Sequence, residues 1–298
     1  MSERQTSSYL MRRFEEVGLQ PDKRRGQNFL IDLNLLNMLA SSCDPSPQDV
    51  VLEVGTGLGS LTSIVAPQVA HMVTVEIDEH LRQLASEELA DIDNITLLGI
   101  DALRNKNNLH PDVLATVQEK LDAVPGSRFK LVANLPYNIA TPVISNLLST
   151  SMTPHSMTVT IQKELADRIT APPSCKDYSA LSIWVQSQCD ARIVRAMAPS
   201  VFWPRPKVHS AIIHIAINEE KRGRIPDRKF FHTFVRAMFF HRRKFLRSVL
   251  LSAFKNRLSK PDVDAIMEAQ GLGPQTRAET LDVEAMLSLC EAVRGHLE

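Results

Sequence analysis

The chain has 298 residues, 44% of them hydrophobic, and its 34 Lys and Arg residues balance 34 Asp and Glu residues. This length and apolar content predict one large domain or two ordinary ones, and they exclude disordered, collagen-like and coiled-coil chains. No window approaches eighteen uninterrupted apolar residues, and charges are spread through the first residues, so we expect neither a membrane segment nor a secretory leader. Four scattered cysteines cannot form a disulfide framework. We therefore expect a cytoplasmic protein.

Strand-length apolar runs alternate with helical patterns through the first two-thirds of the chain. Strands are predicted at residues 50–54, 72–77, 94–99, 129–133, 157–162, 191–197 and 209–217. Helices are predicted at residues 58–69, 79–89, 113–121, 142–148, 163–170 and 179–188, the fourth of them with Pro142 at its first position and Thr141 as its cap. Repeated strand-helix-strand units imply an α/β fold whose mostly parallel sheet is covered on both faces.

From residue 228 onward no strand pattern remains. Helical spacing runs through residues 230–254, 260–270 and 282–295, after a linker at 219–226. We therefore predict an N-terminal extension at 1–25, a main domain at 26–220 and a small all-helical domain at 226–298.

The zero net charge hides a segregation of charge along the chain. Residues 26–191 carry 9 basic and 19 acidic residues, whereas residues 192–260 carry 17 basic and 3 acidic ones. The richest basic run, at 241–247, falls within the predicted helix at 230–254. So large a local excess is unfavourable unless a polyanion or the acidic segments offset it. Nucleic acid is therefore a candidate partner despite the neutral total.

A glycine-rich turn follows the first strand of the main domain. Residues 53–59 follow the pattern E-x-G-x-G-x-G, with Gly55 as the first glycine. Glu76 ends the second strand and Asp101 the third, where carboxylates can accept hydrogen bonds from ribose hydroxyls and an adenine amine. This combination predicts an adenosine-containing cofactor, either NAD or S-adenosylmethionine. Because the spacing is not the G-x-G-x-x-G of a dinucleotide turn, it favours S-adenosylmethionine.

The fourth strand ends in a motif suited to methylating an aromatic amine. The Asn134 side-chain oxygen and the Leu135 carbonyl, held by Pro136, can accept hydrogen bonds from such an amine and direct its lone pair at a methyl group. Tyr137 offers a flat face on which a base can stack. We therefore predict a methyltransferase acting on a nucleobase.

A proline-rich segment at 201–208 has two possible interpretations. Phe202 could form a second stacking face, with Arg205 and Lys207 contacting phosphate. The segment could equally be a rigid connector whose two aromatic residues belong to the core.

Taken in order, these motifs resemble the ribosomal RNA adenine dimethyltransferase family, and in particular its small-subunit branch. The resemblance covers about residues 23–297 and is carried by residues 26–30, 53–57, 76, 101–102, 134–139, 162–164, 178–182, 202–208, 242–244, 247 and 277–279. It implies a Rossmann-like, S-adenosylmethionine-dependent methyltransferase fold with a seven-stranded sheet, the main domain being catalytic and the helical domain docking RNA.

The resemblance also implies residue roles and a substrate. The cofactor site would be lined by Asn28, Leu30, Gly55, Glu76, Asp101 and Asn134. The target adenine would be held by Asn134, Leu135, Pro136, Tyr137 and Phe202. RNA would be contacted by Arg205, Lys207, Arg242, Arg243, Lys244 and Arg247. The implied reaction is dimethylation of two adjacent adenosines in a hairpin near the 3′ end of small-subunit (16S) rRNA, within an assembling ribosomal subunit.

The sequence departs from the family pattern at three places: the long segment at 102–128, His209 after Pro-Lys-Val, and Arg24 with Arg25 before the first motif. Two alternatives remain open: a noncatalytic rRNA-binding assembly factor that keeps the fold, and a nicotinamide-dependent dehydrogenase. The nine histidines show no metal-ligand spacing, so no metal is expected. We expect a monomer.

Overall fold

A computed structural model describes residues 7–16, 18, 20, 21 and 26–297. Within these ranges the helices are α1 (Ser7–Glu16), α2 (Leu33–Ser41), α3 (Ser60–Val65), α4 (Glu79–Glu88), α5 (Pro111–Asp122), α6 (Ala140–Ser149), α7 (Lys163–Thr170), α8 (Ala180–Gln186), α9 (Glu219–Gly223), α10 (Arg228–Phe240), α11 (Leu246–Ala253), α12 (Lys260–Ala269) and α13 (Val283–Leu297). The strands are β1 (Phe29–Leu30), β2 (Asp49–Val54), β3 (His71–Val75), β4 (Ile95–Leu98), β5 (Leu103–Asn105), β6 (Asn108–Leu109), β7 (Arg128–Asn134), β8 (Ser156–Gln162), β9 (Cys189–Met197), β10 (Phe202–Trp203) and β11 (Ser210–Ile217).

Seven strands form the main sheet, in the order β4-β3-β2-β7-β8-β11-β9. The pairs from β4 to β8 are parallel, and β11 runs antiparallel to β8. Because parallel strands end at one edge, the carboxyl ends of β2, β3, β4 and β7 share one side of the sheet. The predicted mostly parallel, seven-stranded α/β fold is confirmed.

The core lies against the central strands of this sheet. All six residues of β2 are buried, as expected of a strand covered on both faces. A buried apolar cluster joins α2 to the sheet through Leu39, Val51, Met72, Val132 and Ile212. This packing fixes β2 and β7, the strands that precede the glycine-rich turn and the Asn134 motif.

The chain forms two compact units whose bounds differ from the predicted domains. The first comprises residues 1–166 and 192–216, and the second residues 167–191 and 217–298. In the second unit the Gln186 side chain donates to the Ile169 and Ala171 carbonyls, and the Tyr178 hydroxyl donates to the Leu281 carbonyl. Residues 167–191 are therefore packed with the C-terminal helices, although the sequence pattern assigned them to the main domain. The predicted functional domains stay a prediction.

Two local predictions were wrong. The predicted helix at 230–254 is two helices, α10 and α11, separated by a turn at 241–245. Helix α6 begins at Ala140 and has Ile139 as its cap, so Thr141 does not cap it and Pro142 is not its first residue. Pro142 still lies within the first turn, where a missing backbone N–H is tolerated.

Other elements had no sequence prediction. These are α1, α2, the two-residue strands β1 and β10, and the β5–β6 hairpin, which lies in the long segment at 102–128. Helix α9 (Glu219–Gly223) was not predicted either, and it occupies most of the predicted linker at 219–226, where the Asn218 side chain caps it. Of the predicted extension at 1–25, only residues 7–16, 18, 20 and 21 are described, so Arg24 and Arg25 lie outside the described residues. Over the ranges the structure describes, no helix has both the length and the apolar character needed to span a bilayer.

Candidate functional site

A cavity opens at the carboxyl end of β2, beside the glycine-rich loop and the ends of β3 and β7. Ligands of open α/β sheets bind at this edge, outside the carboxyl ends of the strands. All six residues predicted for the cofactor site line it: Asn28, Leu30, Gly55, Glu76, Asp101 and Asn134. The structure therefore brings the predicted set together, while their contacts with a cofactor stay a prediction.

Gly55 and Gly57 line this cavity with backbone atoms that carry no side chain. Gly55 has φ of 86° and Gly57 has φ of 57°, a left-handed conformation that favours glycine. A Cβ at Gly55 would lie 3.3 Å from the Pro136 ring, and one at Gly57 would lie 3.1 Å from Phe29 Cε1. The Gly55 amide donates to the Val75 carbonyl at 2.9 Å, which ties the loop to β3.

Two carboxylates stand at the ends of β3 and β4. Glu76 Oε2 accepts from the Gly57 amide and Oε1 from the Asp78 amide, both at 2.9 Å, so backbone contacts orient this nearly buried group. Asp101 is exposed, and its Oδ1 accepts from the Leu103 amide at 2.9 Å. A carboxylate has about four acceptor positions, so both groups can still accept hydrogen bonds from a ligand.

A third acidic residue, Glu53, lies in the cavity wall and is fully buried. Burial raises the pKa of its carboxyl to about 8, although hydrogen bonds from Thr62 and Thr74 at 2.5 and 2.9 Å lower it. The nearby Glu76 charge acts in the same direction as burial. Glu53 therefore joins α3 and β3 to the end of β2, and its buried environment favours the protonated form.

The Asn134 side chain is oriented by a contact across the cavity wall. Its Nδ2 donates to the Asn28 carbonyl at 2.8 Å, and Asn28 Nδ2 donates in turn to the Gly26 carbonyl at 3.0 Å. A carbonyl partner requires a donor, so this contact decides which end of the Asn134 amide is nitrogen. Among the described residues no hydrogen bond to Asn134 Oδ1 is found. The oxygen end is thus available as an acceptor.

The next three residues build a turn beside Asn134. The Leu135 amide donates to the Thr160 carbonyl at 3.2 Å, while no donor to the Leu135 carbonyl is found in the described parts of the chain. The Pro136 carbonyl accepts from the Ile139 amide at 3.1 Å, which closes the turn before α6. The half-buried Tyr137 hydroxyl lies 2.5 Å from Ser210 Oγ, and burial raises the pKa of Tyr137, so the ring stays neutral.

Phe202 is not placed as a base-stacking face, which corrects one of the two interpretations of the proline-rich segment. Its side chain is 2% exposed and belongs to the core cluster beside Leu30, its partner in the β1–β10 pair. A buried ring cannot present its face to a base without leaving the core. For Phe202 the structure therefore agrees with the connector interpretation.

Two apolar residues in the cavity wall were missed by sequence reasoning. Phe29 follows Asn28 in β1, and Leu10 comes from α1, in the segment treated only as an extension. Phe29 stacks on Trp203 with ring centroids 6.2 Å apart, and Phe14 of α1 contacts both rings edge-on. The apolar spacing of α1 could have identified an apolar face on this helix. No sequence pattern, however, predicts which part of the chain that face packs against.

The six residues predicted to contact RNA fall into two groups. Arg205, Lys207, Arg243 and Lys244 are exposed and have no acidic partner among the described residues. By contrast, Arg242 pairs with Glu279 at 2.5 Å and donates to two backbone carbonyls, and Arg247 pairs with Asp264 at 2.5 Å. The structure therefore gives the last two arginines contacts within the protein, and their RNA contacts stay a prediction.

The family model "Ribosomal RNA adenine dimethylase" matches residues 19–294. The chain belongs to this family. It is 36% identical over 280 residues to the ribosomal RNA small subunit methyltransferase A of Clostridium acetobutylicum, covering 94% of this chain and 96% of the relative. The corresponding Clostridium perfringens protein is 38% identical over 276 residues, covering 92% and 91%. The predicted family is confirmed, and with it the class of an S-adenosylmethionine-dependent rRNA adenine methyltransferase.

Solved structures agree on the fold. A dimethyladenosine transferase from Plasmodium falciparum has a TM-score of 0.73 at 22% identity, covering 89% of this chain and 97% of that one. The 23S rRNA methyltransferase ErmE has a TM-score of 0.62 at 22% identity, covering 89% and 99%. At this identity the likeness concerns the fold alone.

The residues of the cavity fit the family's cofactor. Gly55 and Gly57 lack a Cβ, and a Cβ at either position would narrow the cavity. Glu76 and Asp101 can accept hydrogen bonds from hydroxyl and amine groups. These carboxylates also suit a positively charged sulfonium. Among the described residues no group of three or more His, Cys, Asp and Glu side chains is placed to hold a metal ion.

Proposed function

We propose that this chain transfers methyl groups from S-adenosylmethionine to the exocyclic amines of two adjacent adenosines near the 3′ end of small-subunit rRNA, giving dimethyladenosines. The substrate is proposed to be an assembling small subunit, and the protein to act as a cytoplasmic monomer. Relatives named ribosomal RNA small subunit methyltransferase A, at 36–38% identity over nearly their whole length, support this specificity.

The orientation of Asn134 is the observation that carries the proposal. Its Nδ2 is held by the Asn28 carbonyl, so its Oδ1 can accept a hydrogen bond from an incoming amine. The Leu135 carbonyl supplies a second acceptor, kept in place by the Pro136 turn. Two acceptors are what an aromatic amine needs, because it carries two N–H groups.

The two acceptors act on the reactivity of the amine. The lone pair of an adenine amine is delocalised into the ring, and fixing both N–H groups favours the pyramidal geometry in which it points away from the ring plane. Positive charge develops on the nitrogen during transfer, and the amide and carbonyl oxygens stabilise it. S-adenosylmethionine, when bound, supplies an electrophilic methyl group.

The remaining residues are proposed to position the two reactants. Glu76 and Asp101 hold the cofactor's ribose and adenine, and Tyr137 supports the target base by stacking. The proton that the amine loses after transfer passes to solvent, so no general base is assigned.

Methyl transfer to under-methylated small subunits tests this function. With radiolabelled cofactor the wild type should label the RNA, whereas Asn134→Ala should lower the rate by about 100-fold or more, as when an oriented acceptor is removed from a transition state. Calorimetric titration should show that Asn134→Ala retains most of its cofactor affinity. Asn107→Ala, at an exposed position between β5 and β6, is the matched control and should label normally.

Unlabelled RNA in the presence of wild-type protein that binds the cofactor would contradict the proposal. Absence of both labelling and cofactor binding would instead favour a noncatalytic assembly factor.

A further inference from the structure

The turn at 241–245, which interrupts the predicted helix at 230–254, carries an unusual surface. Phe240, the last residue of α10, is 78% exposed, and Phe245, just before α11, is 42% exposed. Among the described residues only five large apolar side chains are exposed, and these two are the only aromatic ones. The Arg277 guanidinium lies over the Phe245 ring, 5.4 Å from its centroid, so Phe245 has a partner within the chain. Exposing the Phe240 ring forgoes the free energy of burying it, so this ring calls for a partner outside the chain.

Contacts within the second unit hold this turn in place. The Arg242 guanidinium donates to the Cys175 and Lys176 carbonyls at 2.9 and 2.6 Å and pairs with Glu279. The Leu246 amide donates to the Thr276 carbonyl at 2.8 Å. These contacts tie the turn to other segments of the same unit, so its exposed side chains stand on an anchored backbone.

A groove lies between α10 and α11 next to the turn. Small or short side chains line most of it, namely those of Thr233, Ala237, Val249, Ser252 and Ala253. Arg236, Phe240 and His241 complete the lining, and the rings of Phe240 and His241 meet edge to face with centroids 4.8 Å apart. A groove lined by short side chains beside an exposed aromatic ring can hold a flat ring.

The segment that carries the groove has charges of one sign, because residues 228–260 include no Asp or Glu. Arg236, Arg243 and Lys244 are exposed, and none has an acidic partner among the described residues. An apolar partner would leave these cations poorly solvated, whereas a polyanion would neutralise them. RNA combines phosphates with flat, apolar base faces, and its unpaired bases stack on aromatic side chains.

We propose that this groove binds an unpaired nucleobase of the rRNA, at a site separate from the methyl-transfer cavity. Phe240 stacks on the base, while Arg243 and Lys244 contact the neighbouring phosphates. The inference rests on the proposed rRNA substrate and adds a second point of recognition to it.

Binding of under-methylated small subunits, measured at several salt concentrations, tests the proposal. Phe240→Ala should raise Kd by about 5- to 100-fold, as expected for one lost base stack. The slope of log Kd against log salt should not change, because no charge is removed. Lys244→Ala should also weaken binding, but it should reduce that slope by about 0.7 to 1. Phe240→Tyr should restore wild-type binding.

Met11→Ala, which shortens another exposed apolar side chain, is the matched control and should bind like the wild type. Equal Kd values for Phe240→Ala and wild type would overturn the proposal. The proposal would also be overturned if the wild type formed a dimer in sedimentation that Phe240→Ala abolished, while the two proteins bound RNA equally well. The exposed ring would then serve self-association.

A fluorescence experiment locates the stack directly. Phe240→Trp places an indole at the proposed site, and its emission should be quenched when the small subunits bind, whereas Met11→Trp should show no quenching. Unquenched emission from Phe240→Trp in the bound state would overturn the proposal. Methyl-label transfer by the wild type, measured in the same preparation, distinguishes failure of the proposed methyl transfer from failure of the proposed nucleobase groove. A failure to label contradicts the proposed function, whereas normal labelling without a Phe240 effect contradicts only the nucleobase groove.

Discussion

Asn134 and Glu53 illustrate how buried polar contacts define the cavity. Asn134 Nδ2 is fixed by the Asn28 carbonyl, which leaves its oxygen as an acceptor. Glu53 lies at the end of the same sheet, and hydrogen bonds from Thr62 and Thr74 fix its carboxyl group. The first contact orients the acceptor that the proposed reaction requires, whereas the second supports the loop next to it.

Stability should fall with rising pH because of Glu53. Burial raises the pKa of its carboxyl to about 8, above the unfolded value, so the folded chain binds more protons than the unfolded chain between those two values. The free energy of unfolding should therefore decrease as pH rises from about 5 to about 8. Glu53→Gln removes this titration and should reduce the decrease by about 1 kcal/mol or more. Urea unfolding at pH 5 and pH 8.5 measures the difference, and identical pH profiles for the two proteins would contradict this role.

Gly57→Ala should lower cofactor affinity through both strain and crowding. An alanine at φ of 57° costs about 1 kcal/mol, and its Cβ would meet Phe29 in the cavity wall. Gly126→Ala is the matched control, because Gly126 has φ of 72° and no atom within 4 Å of the added Cβ. Both variants should lose stability through backbone strain, but only Gly57→Ala should bind S-adenosylmethionine more weakly in calorimetry. Equal affinities would count against the cofactor cavity.

At the scale of elements, the sheet could be predicted from sequence and several pieces around it could not. Strands β2, β3 and β7 are mostly apolar and buried, and polar residues at their ends mark the cavity edge. The turn at 241–245 depends instead on Arg242 reaching carbonyls more than sixty residues away. Because helical spacing continues through residues 241–245, no local sequence pattern could predict that the helix is interrupted there. The buried position of Phe202 likewise depends on pairing with distant β1.

Helix α1 should contribute to cofactor binding. Leu10 lines the cavity, and Phe14, 3% exposed, packs against Phe29 and Trp203. Phe14→Ala removes that anchor, at a cost to packing of about 3–5 kcal/mol, and should loosen α1 from the cavity wall. We expect S-adenosylmethionine affinity to fall by about tenfold or more in calorimetry. Met11→Ala on the exposed face of α1 should have no effect, and an unchanged affinity for Phe14→Ala would show that α1 is not part of the site.

At the scale of the whole molecule, the charge distribution indicates what kind of RNA is bound. The acidic segment at 26–191 contains most of the cavity, and the basic segment at 192–260 contains the exposed cations proposed to contact RNA. Only Arg205, Lys207, Arg243 and Lys244 of the predicted set lack partners within the described chain. The acidic segments on either side of the basic one oppose a general attraction for RNA, so specificity should come from shape and from bases.

Unrelated RNA should therefore bind weakly and with strong salt dependence. With about four phosphate contacts, affinity should fall by at least about tenfold between 0.05 and 0.2 M salt. Under-methylated small subunits should retain tighter binding at the higher salt concentration. Filter binding of both substrates measures this, and equal affinities would contradict shape-dependent recognition.

Mapping the modified nucleotides tests the central claim most directly. Under-methylated small subunits are incubated with S-adenosylmethionine and either wild-type protein or Asn134→Ala, and the rRNA is then analysed by mass spectrometry of its fragments. We predict two adjacent dimethyladenosines near the 3′ end with the wild type and unmodified adenosines with Asn134→Ala. Methyl groups at other nucleotides, or full dimethylation by Asn134→Ala, would contradict the account.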